Sequence, residues 1–133
     1  MATILLIEED DDVRPVLRHT LREEGYEVLV AVDEETAMAW LSAGPVNVDL
    51  ILVNLVGRST AEALAAARRV RERNGADGST PVVVIADKYG EELEGTDVSA
   101  GEAQWVTYPE NSAQLHELIS RLTGQNGGLG SLE

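Results

Sequence analysis

The sequence predicts an α/β domain in which a five-stranded parallel sheet is covered by helices on both faces. Short apolar runs alternate with amphipathic segments about five times along the chain, a pattern typical of sheets built from strand–helix–strand units. The runs are continuously apolar rather than alternating, which indicates strands buried on both faces. At 133 residues, the chain has the usual length of one domain with one core.

The first strand and helix are predicted at the N-terminus. The run Ile4–Ile7 is apolar throughout, and five consecutive acids, residues 8–12, end it. Asp12 is suited to cap a helix, Pro15 is tolerated in the first turn, and Gly25 marks the helix end. The acidic run also has a plainer interpretation, as a solvated loop with a helix cap.

The next segments predict a second strand, a second helix and a third strand. Residues 27–32 are strand-like, and Asp33 is a suitable N-cap for a helix that the pair Gly44-Pro45 ends. Leu50–Val53 predicts a third buried strand, which ends at Asn54.

A third helix and a fourth strand follow. Residues 59–62 (STAE) have the form of a capping box and open an alanine-rich helix that should reach residues 74–75. Residues 81–86 predict the fourth strand. The segment 87–101 is acidic and contains Gly95, so its helix propensity is weak and we expect a short or frayed helix there.

The C-terminal part predicts a fifth strand, a last helix and a tail. Gln104–Thr107 is strand-like, and the apolar positions between residues 115 and 122 have helical spacing. Four glycines then follow within a short polar stretch, which is typical of a flexible segment. The predicted organisation is a domain over residues 1–123 and a tail over residues 124–133.

Charge and composition exclude several classes of function. Acidic residues outnumber basic ones by 24 to 10, and the net charge of −14 repels nucleic-acid phosphates and anionic lipid headgroups. The chain contains no cysteine, which excludes disulfides and thiolate metal sites. No apolar run approaches the roughly 20 residues of a membrane span, and no secretory signal is visible. We therefore expect a cytoplasmic protein without nucleic-acid or membrane partners.

The ends of four predicted strands carry the residues from which a functional site could be built. In parallel α/β sheets, ligands bind at the carboxyl ends of the strands, near the point where the strand order reverses. Those ends read Glu8-Glu9-Asp10, Asn54, Ala86-Asp87 and Tyr108-Pro109.

Four segments, in the same order and at the same intervals, resemble the response-regulator receiver domains of bacterial two-component signalling. The resemblance covers about residues 3–124. It implies a flavodoxin-like, doubly wound three-layer sandwich with strand order 2-1-3-4-5, as in CheY-like proteins, and a signalling module rather than an enzyme. The matching segments are Ile4–Arg14 (ILLIEEDDDVR), Asp49–Asn54 (DLILVN), Pro81–Ala86 (PVVVIA) and Gly101–Pro109 (GEAQWVTYP).

The resemblance also implies roles for the strand ends. In that family two acids after the first strand bind magnesium, and an aspartate ending the third strand accepts a phosphoryl group from a histidine kinase. A hydroxyl after the fourth strand and a lysine after the fifth bind the phosphoryl group. By position, Glu8 and Glu9 are the acid pair and Asn54 is at the acceptor position. Ala86 stands at the hydroxyl position and Tyr108 at the lysine position, so three of these four functions are altered.

These replacements remove the family's chemistry. A carboxamide at Asn54 is a poor nucleophile and forms no acyl phosphate, although Asn54 is also a common turn former. Its neutrality takes one anionic oxygen from the metal site, so we expect magnesium binding at Glu8 and Glu9 to be weak or vestigial. Tyr108 supplies no fixed positive charge and Ala86 no hydroxyl.

Two further residues belong to this end of the sheet. Trp105 falls where the family often has an aromatic residue whose rotation reports phosphorylation, but it has a plainer interpretation as a static packing residue beside Ala86. The Tyr108–Pro109 bond is predicted to be cis, because the family's lysine–proline bond commonly is.

The leading hypothesis is a single-domain pseudo-receiver that binds a protein partner without phosphorylation. The predicted partner surface is the fourth helix, fifth strand and fifth helix, the chain is a monomer or weak homodimer, and no cofactor is required. The alternative is a receiver that still binds magnesium and is phosphorylated on another carboxylate such as Asp10 or Asp87. A flavin carrier is disfavoured because the acids after the first strand would repel the flavin phosphate.

Overall fold

The computed structural model describes residues 2–43, 47–55, 57–74, 79–86 and 89–124. None of its helices is long and apolar enough to cross a membrane, within these ranges. The elements in chain order are β1 (Thr3–Glu8), α1 (Val13–Glu23), β2 (Glu27–Ala31), α2 (Glu34–Ser42), β3 (Leu50–Asn54), α3 (Thr60–Arg73), β4 (Val82–Ile85), β5 (Thr96–Gly101), β6 (Gln104–Tyr108) and α4 (Ser112–Thr123).

The six strands form one sheet in the order β2-β1-β3-β4-β6-β5. The first five strands of this order are parallel, and β6 is the predicted fifth strand. The predicted order 2-1-3-4-5 therefore holds for the parallel part, and the α/β doubly wound fold class is confirmed. β5 adds a sixth strand at the edge, antiparallel to β6.

The prediction of a helix within residues 87–101 was wrong. The described part of this segment forms a turn and then β5, so the described residues contain four helices rather than five. Gly95 adopts a φ of 86°, which lets the chain turn into the strand. The Asp97 carboxylate then accepts hydrogen bonds from the Thr107 hydroxyl (2.7 Å) and from Gln114 Nε2 (2.9 Å). These contacts with β6 and α4 outweigh a weak local preference for helix.

The core consists of two apolar layers, one on each face of the sheet. Successive side chains in a strand point to opposite faces, so each central strand supplies both layers. One layer packs under α2 and α3 and includes Leu5, Ile7, Ile51, Val53, Val82 and Val84. The other packs under α1 and α4 and includes Ile4, Leu6, Leu50, Leu52, Val83, Leu118 and Ile119.

Side-chain hydrogen bonds cap the starts of the helices that follow the first three strands. Asp33 caps α2, and Ser59 with Glu62 forms the expected capping box at α3. Asp12 occupies the N-cap position of α1 but makes no side-chain cap. The Asp10 carboxylate instead accepts hydrogen bonds from two backbone N–H groups at the start of that helix, 2.8 and 3.1 Å away.

The last described helix ends at a glycine. α4 ends at Thr123, and Gly124 closes it with a left-handed backbone, φ 74°. The predicted flexible tail beyond Gly124 lies outside the described residues.

Candidate functional site

The carboxyl ends of β1 and β3 place Glu8 directly beside Asn54. The two residues are register partners in the parallel pair, and Asn54 Nδ2 donates a hydrogen bond to Glu8 Oε1 at 2.9 Å. The backbone N–H of Asp10 donates to the other carboxylate oxygen at 3.2 Å. Glu8 is completely buried, so both oxygens of a buried carboxylate have protein donors.

Burial and these donors act in opposite directions on Glu8. Burial raises the pKa of Glu8 above its ordinary value, while the hydrogen bonds from Asn54 and from the Asp10 backbone favour the ionised form. The carboxamide of Asn54 thus stabilises an anion that its surroundings disfavour. A carboxylate at the same position would repel that anion instead.

Glu9, the second residue of the acid pair, faces a different partner. Its carboxylate lies 3.6 Å from the guanidinium of Arg58, which follows β3 in the loop leading to α3. Arg58 is partly exposed, and its charge also contributes to the low pKa of Glu34, for which the hydrogen bond from Arg69 is the main cause. The positive charge of Arg58 therefore lies close to the acidic residues at this end of the sheet.

These residues do not fit the magnesium site of the family. Magnesium prefers several anionic or carbonyl oxygens around it. Glu8 is bound to an amide donor, Glu9 faces a guanidinium, and Asp10 caps α1. Across the described ranges, no group of three or more acidic, histidine or cysteine side chains is arranged to hold a metal ion.

Ala86 and Tyr108, at the hydroxyl and lysine positions, lie in an apolar environment. Ala86 is buried, and both residues pack with the core layer under α2 and α3. The Tyr108 ring meets Tyr89 edge to face, with centroids 5.4 Å apart. Tyr89 in turn donates from its hydroxyl to the Pro109 carbonyl at 2.6 Å. Where the family has a lysine ammonium, this chain has an aromatic pair.

The structure joins only some of the predicted site residues. Glu8 and Asn54 are hydrogen-bonded, but no hydrogen bond between described residues connects Asn54 to Ala86 or Tyr108. The Tyr108–Pro109 bond is trans, so the predicted cis bond was wrong. The general preference of peptide bonds for trans prevails here.

Trp105 lies on the other face of the sheet from Ala86. Its ring packs with the layer under α1 and α4, and the Arg121 guanidinium lies 5.5 Å from the ring centroid. The suggested packing beside Ala86 was therefore wrong, because β6 alternates its side chains and residue 105 points away from that layer. A cation–π contact fixes the ring against α4.

Two basic residues of this site did not emerge from the sequence. Arg14 donates to the Glu8 carbonyl at 2.9 Å and pairs with Asp11, and Arg58 approaches Glu9. Each is a single basic residue at the edge of an acidic or apolar stretch. This isolated position in the sequence is the signal that could have identified Arg14 and Arg58 as site residues.

Comparison with known proteins identifies structures that share this fold. No protein-family model matches the chain. It is 30% identical to the uncharacterized transcriptional regulatory protein YkoG of Bacillus subtilis, over 93% of the chain and 52% of that protein. The receiver domain of the hybrid histidine kinase CckA superposes with a TM-score of 0.62 at 25% identity, covering 92% of this chain and 99% of that one. The chain has the fold of a CheY-like receiver domain.

A second structural relative has the same fold. The response regulator TrrA of Thermotoga maritima, solved with Mg²⁺ and BeF, has a TM-score of 0.65 and 25% identity, with coverage of 92% and 99%. The chain spans about half the length of the curated relatives it matches. The names of the two solved relatives describe a receiver domain and a response regulator.

Proposed function

We propose that this receiver is a pseudo-receiver, which acts by binding protein partners without being phosphorylated. The observation that carries the proposal is the 2.9 Å hydrogen bond from Asn54 to the buried Glu8 carboxylate. The acceptor position holds a carboxamide that stabilises its neighbour. It offers no carboxylate oxygen to attack phosphorus, so the acyl phosphate on which receiver signalling depends has no place to form.

The rest of the site supports the same function. Tyr108 provides no cation and Ala86 no hydroxyl for a phosphoryl oxygen, and Arg58 lies near Glu9. We infer that the receiver requires no magnesium or other cofactor and has no enzymatic activity. The signal would instead depend on which protein partner is bound.

The alternative, phosphorylation of another carboxylate, has less support. Asp10 is one candidate, but its Oδ1 already accepts two backbone hydrogen bonds at the start of α1. Asp87 lies outside the described residues. A phosphoryl group on Asp10 would remove the cap of α1, at a cost of about 1 kcal/mol.

Intact-mass spectrometry after incubation with acetyl phosphate and Mg²⁺ tests both functions. We expect an unmodified mass under conditions that label a receiver with an intact acceptor aspartate. A labile addition of one phosphoryl group to the wild type would overturn the proposal and support the alternative. The matched positive variant is Asn54→Asp with Ala86→Thr and Tyr108→Lys, which should regain labelling if the backbone geometry of the site is inherited.

A second test uses Mg²⁺ and BeF, the ligands present in the TrrA structure. The wild type should show no magnesium-dependent change in Trp105 fluorescence when BeF is added. Such a change would contradict a pseudo-receiver, because it requires a bound phosphoryl mimic. The triple variant provides the positive control.

The partner surface predicted from the sequence must be revised. In the described residues no helix lies between β4 and β5, so the predicted fourth helix cannot contribute. The equivalent surface is β5, β6 and α4. We propose a cytoplasmic receiver that is a monomer or weak homodimer when no partner is bound.

A further inference from the structure

The strand β2 forms an open edge of the sheet. Among the described strands it pairs with β1 alone, in an unbroken register from Thr3–Glu27 to Ile7–Ala31. Natural proteins usually protect such edges with proline, lysine or a bulge, and the sequence EVLVA of β2 contains neither residue. Because the three residues 28–30 are only half-buried, the main chain of this edge is accessible to another strand.

Two adjoining grooves follow this edge. One, of about 510 Å³, is lined by Arg14 and Arg18 of α1, residues 28–30 of β2 and Trp40 of α2. The other, of about 460 Å³, shares residues 28 and 29 and is lined by Arg22. The edge therefore has arginines on the α1 side and an exposed indole, 46% accessible, on the α2 side.

The arginines form a basic row on an acidic protein. Arg14, Arg18 and Arg22 are four residues apart on α1, so they share one helix face, and they are three of only ten basic residues in a chain of net charge −14. Arg14 is held by Asp11. Neither Arg18 nor Arg22 has an ion-pair partner within the ranges that the structure describes.

The acids lining the two grooves lie at their ends. Asp11 is paired with Arg14, and Glu27, at the first position of β2, accepts a hydrogen bond from the Thr3 hydroxyl. The middle of the edge thus carries uncompensated positive charge beside unpaired main-chain groups.

We propose that the open edge of β2 binds an extended acidic segment of a partner protein as a seventh strand of the sheet. Main-chain hydrogen bonds would provide affinity, and side chains would provide specificity, as in other strand-addition complexes. This inference names a partner class for the pseudo-receiver and rests on that proposed function for its biological use.

The two sides of the edge define the pattern that the segment must have. Alternate side chains of an added strand point toward α1 and toward α2. Those toward α1 meet Arg18 and Arg22 and should be acidic. Those toward α2 meet Trp40 and should be apolar. The preferred ligand is therefore an alternating acidic and apolar sequence, rather than a merely acidic one.

A blocked heptapeptide of alternating valine and glutamate tests the proposal. Binding is followed by Trp40 fluorescence in a Trp105→Phe variant, which leaves one indole in the protein. The matched peptide of alternating valine and lysine should not bind. The valine–glutamate peptide methylated on all its backbone nitrogens should also fail, because it cannot donate strand hydrogen bonds.

A matched pair of charge reversals locates the binding site. Arg18→Glu should weaken binding of the valine–glutamate peptide about tenfold, and high salt should weaken it further in the wild type. Arg73→Glu makes the same change in net charge on an exposed residue of α3 and should leave binding unchanged. Circular dichroism of both variants verifies that they remain folded.

Several results would overturn the inference. These are equal binding of the two peptides, equal effects of Arg18→Glu and Arg73→Glu, or no Trp40 response up to about 1 mM peptide. Self-association that Arg18→Glu abolishes would mean that a second copy occupies the edge, which also contradicts it. None of these results involves phosphorylation, so failure here leaves the pseudo-receiver intact, and labelling by acetyl phosphate would leave peptide binding intact.

Discussion

Replacing Asn54 by aspartate would turn the hydrogen bond with Glu8 into a repulsive contact. The two side chains meet at 2.9 Å in a site where Glu8 is completely buried. The substitution removes a donor to an ionised group, worth about 1.5–3 kcal/mol. It also sets two negative charges about 4 Å apart, which costs about 4 kcal/mol at an effective dielectric constant of 20.

The pair can relieve this repulsion by binding a proton, so the effect depends on pH. Two neighbouring carboxylates share a proton with one pKa raised above its value in the unfolded chain. A raised acid pKa gives stability that is present below the unfolded value and is lost as the pH rises through the folded value. We therefore expect Asn54→Asp to lower the free energy of unfolding by about 5–7 kcal/mol at pH 8 and by clearly less at pH 5.

Urea denaturation in EDTA at the two pH values measures this difference. Asn54→Ala is the matched control, because it removes the amide donor without adding charge, and should cost about 1–3 kcal/mol. Mg²⁺ should restore stability to Asn54→Asp by binding the enlarged carboxylate set, and should leave the wild type unchanged. If Asn54→Asp is as stable as the wild type at pH 8 in EDTA, the argued role of the Asn54 amide is wrong.

Two other substitutions test the elements around the site. Thr107→Val removes the hydroxyl that bonds Asp97 and should lower the free energy of unfolding by about 1–3 kcal/mol, with faster hydrogen exchange in β5. Ser99→Ala, on an exposed position of the same strand, should have little effect, and equal effects would contradict the argument. Ser59→Ala breaks the capping box with Glu62 and should cost about 1 kcal/mol in thermal unfolding, whereas no change in Tm would mean that the cap is not needed.

The parallel part of the fold was predictable because it depends on apolar composition. A continuous run such as Leu50–Val53 has few alternatives to a strand buried on both faces. β5 was missed because its sequence, TDVSAG, carries weak local preferences. Its strand conformation depends on hydrogen bonds to Thr107 and Gln114, which are distant in sequence and invisible to a local pattern.

The candidate site was predictable in its residue types but not in its contacts. Strand ends fixed which residues meet, so the proximity of Glu8 and Asn54 follows from a parallel register. Which acid caps α1 did not follow, since Asp10 and Asp12 are equally good capping residues and the backbone turn selects the first. The approach of Arg58 to Glu9 depends on a loop path that no periodicity describes.

The hairpin of β5 and β6 gives the C-terminal end of the sheet a different folding behaviour from the rest. Its innermost partners, Gly101 and Gln104, are three positions apart, whereas Glu8 and Asn54 are separated by 46. Closing a short antiparallel loop takes microseconds and little chain entropy, while parallel pairings must wait for long crossovers. We therefore expect this hairpin to form early and independently, and to give β4 a prepared neighbour when the central strands assemble.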